Sequence, residues 1–483
     1  MTSSLTTDVL VIGAGTAGLN AIREIEAAGK RWLLVENGPY GTTCARVGCM
    51  PSKLLIAAAD RAHAVATATD FGITVTGSSI DVPAVFARVR TERDRFVAGA
   101  VAATEKLDPE RRLSGTARFM SPTRVIVEDP ESGTARQIDA QAVVIATGSS
   151  ANVPAPFDSV ADAILTSDQV FELTALPASL AVIGTGVIGL ELGQALARLG
   201  VAVTFFSNGS RIGPLRDPAV QAAVRNSFTQ RHSFHLNARI TAVEQSGDSF
   251  TIEWHTKAGE QRRESFAQVL LATGRRPQLA ALNLAATGLE LDERGHPPWH
   301  PLTTQCGDAP IFLAGDASGH RAILHEAADE GRIAGQNAVL FPQVREHERR
   351  APLAIVFTHP QMASVGCALG DLDESGVAIG EVSFEKQGRA RVLNRNEGVL
   401  RLYADRSCAR LVGAELFGPD VEHLAHLLAW AVQRHMTVPE MLRLPFYHPV
   451  IEESVRTGLR RLAKQLQVEF DCEREDFALA PGL

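Results

Sequence analysis

The chain has 483 residues, of which 45% are hydrophobic and 21% are charged, and its formal net charge is −8. Its length exceeds what one hydrophobic core can organise and indicates roughly two to four domains of ordinary globular composition. The acidic balance argues against nucleic acid or an anionic membrane surface as a partner, and it favours chemistry on small molecules.

The first apolar stretch, in MTSSLTTDVLVIGAG, is short and has no basic residue before it, so it predicts a buried strand rather than a signal peptide. No apolar run approaches the roughly 18 residues that span a bilayer. Six cysteines are present, and four of them stand alone: Cys306, Cys367, Cys408 and Cys472. These features predict a cytoplasmic protein without a membrane segment, and structural disulfides are rare in that compartment.

Residues 8–36 form the first recognisable unit, an apolar strand pattern that enters Gly-x-Gly-x-x-Gly and continues as a helix. In such a motif Gly13 makes the tight turn, Gly15 lets a pyrophosphate approach the backbone, and Gly18 lets the helix pack on the strand. The helix N-terminus then offers free N–H groups to the phosphates. Glu36, at the end of the next apolar run, is placed to accept hydrogen bonds from a ribose diol. The alternative is a set of glycines that only tighten a turn.

The stretch TCARVGCMPSK follows, with Cys44 and Cys49 separated by four residues. Two cysteines this close are core thiols, half of a metal site, or a disulfide that opens and closes. A zinc site would need further ligands at close spacing, and the sequence has no other Cys-x₂₋₄-Cys. The pair precedes the helical pattern SKLLIAAAD, so it lies near a helix start, where the helix dipole lowers a thiol pKa and promotes exchange. A redox-active pair without a metal is therefore predicted.

The next stretches lead from the cysteine pair to a second motif. Residues 50–110 have helical patterns, residues 115–145 have short strand patterns, and the strand AVVIATGS reaches Gly148. A matching strand, QVLLATGRRP, reaches Gly274 further along the chain. The repetition of Ala-Thr-Gly after a strand indicates two copies of one architecture.

Residues 180–207 repeat the first unit in the same register, as strand, Gly-x-Gly-x-x-Gly, helix, glycine and strand. The second set of motif glycines is Gly184, Gly186 and Gly189. A single motif of this kind is weak evidence, but each copy follows a strand pattern and opens a helix, which is the context that dinucleotide binding requires. Two nucleotide-binding domains whose cofactors exchange electrons are therefore predicted, with the cysteine pair just after the first site.

The second copy ends in Ser207 where the first ends in Glu36, so it has no carboxylate to favour NAD or to repel the 2′-phosphate of NADP. Arg211 follows four residues later and could meet such a phosphate. An arginine after a strand can equally be a solvated side chain. The nicotinamide preference is therefore open on the sequence alone.

The strand PIFLAGDASG carries Asp316, and from about residue 348 strand patterns mix with the helical pattern VEHLAHLLAWAVQRH. Near the C-terminus, YHPVIEE places His448 and Glu453 five residues apart. Histidine titrates near neutral pH, so His448 is a candidate base, and Glu453 could hold and polarise its imidazole. On this segment alone, a surface histidine in a Pro-flanked turn is the competing interpretation.

Together these motifs resemble the FAD-dependent pyridine nucleotide–disulfide oxidoreductases, and within them the dihydrolipoyl dehydrogenases, over nearly the whole chain. The resemblance rests on the glycine-rich start, Cys-x₄-Cys-x-Pro-Ser-Lys, the Ala-Thr-Gly strands, the Gly-Asp strand and LLAWAVQRHMTVPEMLRLPFYHP. It implies an α/β fold with two Rossmann-like dinucleotide-binding domains, for FAD and NAD, and a C-terminal α+β dimerisation domain. The implied segments are an FAD-binding domain with the cysteine pair at 1–150, an NAD(P)-binding domain at 151–279, a central segment completing the FAD domain at 280–347, and an interface domain at 348–483.

The resemblance also implies roles for single residues. Cys49 corresponds to the charge-transfer thiol beside the flavin, and Cys44 corresponds to the interchange thiol that meets substrate. His448 and Glu453 correspond to an acid–base dyad that the other subunit contributes across a dimer interface. The implied cofactor contacts are Lys53 near flavin N5 with its partner Glu191, and Asp316 at the ribityl chain. They also include Gly148 and Gly274 at the ends of the Ala-Thr-Gly segments, and Ala117 and Leu324 through their backbones.

Three short segments depart from the family pattern. The usual Gly-Gly-Thr before the first cysteine is Gly41-Thr42-Thr43, the usual asparagine between the cysteines is Arg46, and His-Pro-Thr near the C-terminus is His448-Pro449-Val450. None of these changes removes a group that performs chemistry.

The implied function is oxidation of dihydrolipoamide, carried on the lipoyl domain of a 2-oxo acid dehydrogenase complex, by a homodimer that passes hydride through FAD to NAD. An NADPH-dependent disulfide reductase of the glutathione-reductase type is the alternative that Ser207 permits. Mercuric reductase and the large thioredoxin reductases fit less well, because the C-terminus has only Cys472 where they carry a cysteine pair. A flavin-bound protein without catalysis is opposed by the retained cysteines, Lys53 and the His448–Glu453 pair.

Overall fold

The chain opens with a strand whose residues from Val9 to Ile12 are all buried, as expected of a parallel strand covered on both faces. The structure, a computed structural model, describes residues 3–129 and 132–468. The elements of its first part are β1 (Ser3–Ile12), α1 (Thr16–Ala27), β2 (Trp32–Glu36), α2 (Thr43–Val47), α3 (Cys49–Ala66), α4 (Val82–Glu105), β3 (Arg112–Ser114), β4 (Thr116–Ser121), β5 (Arg124–Glu128) and β6 (Ala135–Ile145).

The second part repeats the order of strand, glycine turn, helix and strand with which the chain begins. Its elements are β7 (Ser149–Ala151), β8 (Leu165–Thr166), β9 (Ser179–Ile183), α5 (Val187–Arg198), β10 (Ala202–Ser207), α6 (Pro218–Arg231), β11 (Ser233–Leu236), β12 (Arg239–Ser246), β13 (Ser249–His255), β14 (Gln261–Phe266), β15 (Gln268–Leu271) and β16 (Arg275–Pro277). The apolar run of β9 is buried, like that of β1. The local sequence thus builds the same βαβ unit twice.

The third part contains a short buried strand, a long helix and then an antiparallel sheet with its own helices. Its elements are β17 (Ile311–Leu313), α7 (Leu324–Leu340), β18 (Leu353–Val356), β19 (Gln361–Gly366), β20 (Val377–Ser383), α8 (Gly388–Val392), β21 (Val399–Asp405), β22 (Leu411–Gly418), α9 (Val421–Gln433), α10 (Val438–Leu442) and α11 (Glu453–Leu466).

The first sheet has the strand order β3-β2-β1-β6-β5-β4, with β1 parallel to both of its neighbours. β17 joins the same sheet by pairing in parallel with β6, so the chain leaves this sheet and returns to it after the second part. Helix α7 then packs closely on α1. A Cβ at Gly331 or Gly335 would lie 2.2 or 2.5 Å from the backbone oxygen of Ala17 or Ala21, so glycine is what permits this approach.

The second sheet has the order β11-β10-β9-β15-β8, and all of its strand pairs are parallel. Strands β12, β13 and β14 form a separate antiparallel meander. Strands β7 and β16, which follow the two Ala-Thr-Gly segments, pair with each other in an antiparallel ribbon. The chain therefore passes from the first sheet to the second and back again at one place, directly beside both Ala-Thr-Gly turns.

The C-terminal sheet is antiparallel, in the order β18-β19-β22-β21-β20. Helices α9 and α11 contribute Leu424, Leu428, Leu459 and Leu462 to its apolar core. One mixed and one parallel sheet, each with a glycine turn after a parallel strand, and a C-terminal α+β unit confirm the predicted α/β class. The predicted segment limits stay predictions. Over residues 3–129 and 132–468, no helix is long and apolar enough to cross a membrane.

Candidate active site

The first glycine turn, between β1 and α1, is closed at two positions and open at the third. Gly13 has φ +110°, and a Cβ there would lie 2.3 Å from the carbonyl oxygen of Ala146. A Cβ at Gly18 would lie 1.9 Å from the oxygen of Gly13, but a Cβ at Gly15 would meet nothing within 4 Å. Gly15 is also the N-cap of α1, and its helix start has no side-chain cap. Open space therefore lies in front of free helical N–H groups.

The second turn, between β9 and α5, reproduces this geometry. A Cβ at Gly184 would lie 2.3 Å from the oxygen of Ala272, and one at Gly189 would lie 2.1 Å from the oxygen of Gly184. Gly186 is open and is the N-cap of α5, again without a side-chain cap. Both turns fit the pyrophosphate of a dinucleotide, because backbone N–H groups and the positive end of the helix dipole face a space that no side chain fills.

Glu36 lies at the C-terminal end of β2, next to the first turn. One carboxylate oxygen accepts the N–H of Ala14 at 2.7 Å, and the other accepts those of Asn37 and Gly38 at 3.0 and 2.9 Å. Ala14 sits between Gly13 and Gly15, so the structure brings this carboxylate to the edge of the turn. That is the position from which an acidic residue reaches a ribose diol.

Ser207 occupies the matching place at the end of β10, and its hydroxyl accepts the N–H of Gly209 at 3.2 Å. The exposed Arg211 is tied to the second turn through its backbone, because the hydroxyl of Thr185 donates to its carbonyl oxygen at 2.9 Å. Thr185 lies between Gly184 and Gly186. The structure thus ties the backbone of Arg211 to the second turn, and the roles of Ser207 and Arg211 toward a nicotinamide nucleotide stay predictions.

Asp316 lies in a short 3₁₀ segment after β17, and the hydroxyl of Ser149 donates to its Oδ2 at 2.6 Å. Ser149 in turn accepts a hydrogen bond at its hydroxyl from Arg275 Nε at 2.8 Å and at its carbonyl oxygen from the same guanidinium at 2.7 Å. Sequence reasoning missed Ser149 and Arg275. The only available signal was that each follows an Ala-Thr-Gly segment, and the ribbon of β7 and β16 is what brings them together.

The remaining predicted cofactor residues lie around the same turns. Gly148 and Gly274 have φ of +71° and +97°, and a Cβ at either would meet nothing within 4 Å. Ala117 is buried in β4, opposite Val127. Leu324 is the first residue of α7 and is exposed. These placements are compatible with backbone contacts to a cofactor, and the roles themselves stay predictions.

The cysteine pair spans two successive helices. Cys44 lies in α2, and α3 begins at Cys49, as the pattern SKLLIAAAD predicts. Both are free thiols in the structure, and their side chains are hydrogen-bonded to each other. The predicted interchange and charge-transfer thiols are therefore within contact of one another at a helix N-terminus. Cys472 lies outside the described residues, as does the C-terminal segment compared with the mercuric and thioredoxin reductases.

The two thiols have opposite pKa shifts. The hydrogen bond from Cys44 lowers the pKa of Cys49 to about 7, and the ammonium of Lys53 adds to this against the effects of burial and of the Glu191 carboxylate. The same hydrogen bond, with burial, raises the pKa of Cys44 well above its usual range. A Cys49 thiolate that accepts a hydrogen bond from the Cys44 thiol is therefore well populated near neutral pH.

Lys53 follows one helical turn after Cys49, and its Nζ lies 2.7 Å from Oε2 of Glu191 on α5. The Glu191 side chain is only 4% exposed, so the ion pair is largely withdrawn from water on that side. The other carboxylate oxygen, Oε1, accepts the N–H of Phe357 at 2.9 Å. The pair predicted from the resemblance therefore joins the helix that starts at Cys49 to the helix that starts at the second glycine turn.

His448 and Glu453 lie side by side on the C-terminal unit, with Nδ1 and Oε1 2.9 Å apart. Glu453 also accepts the N–H of Val450 at 3.2 Å. Burial raises the pKa of Glu453, but the hydrogen bonds from His448 and Val450 outweigh it and keep that pKa below its usual value. The His448 side chain is 78% exposed, and no hydrogen bond or ion pair within the described part of the chain joins it to either cysteine. One chain therefore presents the dyad outward.

The sequence model of the family described as pyridine nucleotide-disulphide oxidoreductase matches residues 7–331, and that of its dimerisation domain matches residues 353–458. The dihydrolipoyl dehydrogenase of Bacillus subtilis (strain 168) is 30% identical over 458 residues, which cover 93% of this chain and 97% of that protein. The mercuric reductase of Streptomyces lividans is 30% identical over 454 residues, covering 92% and 93%. LpdA from Mycobacterium tuberculosis superposes with a TM-score of 0.82 at 25% identity, covering 94% of this chain and 99% of that one.

Proposed function

This chain belongs to the pyridine nucleotide-disulphide oxidoreductase family, and from that premise we propose that it is a dihydrolipoyl dehydrogenase acting through Cys44 and Cys49. One observation carries the proposal: two contacting thiols lie at a helix start, and Cys49 has a pKa of about 7. The similarity to a dihydrolipoyl dehydrogenase along almost the whole of both chains supports the choice of substrate.

Members of this family use FAD and NAD(P), and we assign one glycine turn to each. Gly13, Gly15, Gly18, Glu36 and Asp316 would hold FAD, and the turn of Gly184, Gly186 and Gly189 would hold the nicotinamide nucleotide. When bound, FAD supplies the two-electron transfer between a reduced thiol pair and a nicotinamide. The protein contributes the thiols, the ion pair of Lys53 with Glu191, and the groups that accept and donate protons.

In the proposed reaction, His448 of a second copy takes a proton from one thiol of dihydrolipoamide. The resulting thiolate attacks the sulfur of Cys44 in an oxidised Cys44–Cys49 disulfide, and Cys49 leaves as a thiolate. The low pKa of Cys49 makes it the better leaving group of the two. The second substrate thiol then attacks the substrate sulfur bound to Cys44, which releases lipoamide and returns Cys44 as a thiol. The substrate loses two protons and two electrons, and the cysteine pair is reduced.

The dimerisation domain at residues 353–458 favours a homodimer, and we propose that the dyad of each copy serves the cysteines of the other. We further propose that the physiological dithiol is carried by the lipoyl domain of a 2-oxo acid dehydrogenase complex. The isolated cysteines fit a reducing compartment, so we propose the cytoplasm as the place of action.

The function is tested by initial rates of NAD⁺ and NADP⁺ reduction with dihydrolipoamide. We expect turnover with the native protein and a fall of about a thousandfold or more in Cys44→Ser, because that substitution removes the sulfur that the substrate attacks. Cys408→Ser is the matched control, since Cys408 is an exposed thiol outside the site, and it should keep the native rate. Lipoamide turnover by Cys44→Ser would contradict the assignment.

The second candidate is an NADPH-dependent disulfide reductase, and the uncharged Ser207 with Arg211 tied to the second turn is the observation that favours it. In that case NADPH would drive reduction of a disulfide of the glutathione type. The thiol–disulfide exchange at Cys44 and Cys49 would then proceed in the opposite direction. Oxidation of NADPH by glutathione disulfide, without reduction of NAD⁺ by dihydrolipoamide, would select this candidate over the dehydrogenase.

A further inference from the structure

The carboxylate of Glu191 accepts hydrogen bonds from two different parts of the chain, one at each oxygen. Its Oε2 accepts from Lys53 Nζ at 2.7 Å, and its Oε1 accepts from the backbone N–H of Phe357 at 2.9 Å. Phe357 lies in the turn between β18 and β19, so the second partner of Glu191 comes from the C-terminal sheet. A carboxylate with both oxygens engaged in this way cannot rotate without losing one charge-assisted hydrogen bond.

Phe357 also contacts the other member of the ion pair. The ammonium of Lys53 lies 4.6 Å from the centre of the Phe357 ring, within the range of a cation–π interaction. One residue thus donates its N–H to the carboxylate and presents its ring to the ammonium. The position of Phe357 therefore determines where the Lys53–Glu191 pair can lie.

The turn that carries Phe357 is fastened by Gln194, which lies three residues after Glu191 on α5. The N–H of His359 donates to Gln194 Oε1 at 2.7 Å, and Gln194 Nε2 donates to the carbonyl oxygen of His359 at 3.0 Å. Residues three apart on a helix share one face. Helix α5 therefore offers two buried side chains, Glu191 and Gln194, to Phe357 and His359 of the turn between β18 and β19.

We propose that Gln194 is a positioning residue: by holding the backbone of His359, it keeps Phe357 against Lys53 and Glu191 and so sets the distance of the Lys53 ammonium from Cys49. Gln194 itself touches neither thiol. The inference rests on the proposed function only in assigning Cys49 a role in the reaction.

The charges around Cys49 give this geometry a measurable consequence. The groups that act on its thiol are the Cys44 thiol, the Lys53 ammonium and the Glu191 carboxylate, and the ammonium favours the thiolate while the carboxylate opposes it. If the turn is released, Lys53 gains freedom to move away from Cys49, and its average stabilisation of the thiolate falls. The pKa of Cys49 then rises.

The experiment measures the rate at which iodoacetamide alkylates the Cys49 peptide, resolved by mass spectrometry as a function of pH. It is done in full-length protein carrying Cys44→Ser, which retains a hydrogen-bond donor and leaves Cys49 as the single thiol of the pair. Gln194→Met removes both amide hydrogen bonds at similar volume, and Phe357→Leu removes the ring but keeps the N–H. Lys53→Met removes the ammonium altogether, so it gives the largest rise in the pH midpoint of alkylation that loss of this charge can cause.

Gln465→Met is the matched control. Gln465 on α11 makes the same pair of hydrogen bonds to one backbone residue, Ile379 on the edge strand β20, at 2.7 and 3.3 Å. Neither residue is among the groups that act on the Cys49 thiol. Thermal denaturation of every variant establishes that each is folded at the temperature of the assay.

We expect the pH midpoint of alkylation to rise by about half a unit in Gln194→Met and in Phe357→Leu, a fraction of the roughly one to three units that a close opposite charge supplies. Gln465→Met should leave it unchanged. An unchanged midpoint in folded Gln194→Met or Phe357→Leu, or an equal rise in Gln465→Met, would overturn the proposal. Because the assay contains no lipoamide and no nicotinamide, its outcome is independent of whether the proposed reaction is correct.

Discussion

At the scale of single residues, Thr42 is held in a backbone conformation that suits glycine. Its φ is +57° and its ψ is 145°, and the family pattern has glycine at this position. Conformations of this kind cost roughly 1–3 kcal/mol in a residue with a Cβ, and the hydroxyl that caps α2 recovers only part of that. The strain lies two residues before Cys44.

We therefore expect Thr42→Gly to stabilise the protein by about 1 kcal/mol, after allowance for the greater freedom of glycine in the unfolded chain. Urea denaturation of the native protein and the variant measures this difference. Thr43→Gly is the control, because Thr43 is already helical and should lose stability on the same change. A destabilised Thr42→Gly would show that the cap outweighs the strain.

Ser207 is the second single residue for which we make a prediction, and it concerns the choice between NAD and NADP. A carboxylate placed there could accept hydrogen bonds from a ribose diol and would repel a 2′-phosphate. We expect Ser207→Glu to raise the ratio of kcat/KM for NAD⁺ over NADP⁺ by about tenfold or more. Asn208→Glu adds the same charge at the exposed neighbouring residue and should change the ratio far less. Equal ratios in Ser207→Glu and native protein would remove Ser207 from the nucleotide site.

At the scale of elements, the two glycine turns at the starts of α1 and α5 can be changed independently of each other. A methyl group at Gly15 or at Gly186 would meet no protein atom within 4 Å, so alanine is compatible with folding at both places. The same methyl group would occupy the space through which a pyrophosphate approaches the helix N-terminus. We therefore propose that the crowded glycines of each motif serve packing, and that the open glycine serves cofactor binding.

We expect Gly15→Ala to reduce the FAD retained after purification by about tenfold or more, while thermal denaturation shows a folded protein. Gly186→Ala should retain FAD and instead weaken NAD⁺ or NADP⁺ binding, measured by fluorescence titration. Each variant is the control for the other. Loss of FAD from Gly186→Ala with retention by Gly15→Ala would reverse the assignment of the two turns.

At the scale of the whole molecule, several exposed features of the C-terminal unit favour association with a second copy of the chain. The His448–Glu453 dyad faces outward, and the large side chains of Trp430 and Tyr447 are 66% and 78% exposed. These residues lie in or beside the segment that matches the family's dimerisation domain, at residues 353–458. An isologous dimer would cover such a surface and would bring each dyad to the partner.

The sharing of sites between copies is tested by co-expressing two inactive chains, Cys44→Ser and His448→Ala. If the dyad acts across the interface, random pairing gives about half hybrid dimers, each with one intact site, and lipoamide activity returns to about one quarter of the native value. Co-expression of Cys44→Ser with Cys49→Ser leaves no site with both thiols and should give no recovery. Absence of recovery in the first pair would place the dyad and the cysteines of one site in the same chain.

Features that depend on neighbours in the chain were predictable from the sequence. The two strand–glycine–helix units, the helix start at Cys49 and the proximity of His448 to Glu453 all follow from short spacings, and the structure contains each of them. The resemblance added Lys53 and Glu191, which the structure places in contact. The strained conformation of Thr42 was visible only as a departure from Gly-Gly-Thr.

The sequence by itself thus determined the two glycine turns, the thiol pair and the α/β class, because backbone geometry over a few residues is set by steric limits and hydrogen bonding within the same segment. Only the tertiary structure decided which residues, distant in the chain, form hydrogen bonds around the glycine turns and the thiol pair. Ser149 with Asp316 and Gln194 with His359 are 167 and 165 residues apart, and no local pattern relates their positions. Such pairs form because separate elements pack together and a buried polar group must find a partner wherever that packing places one.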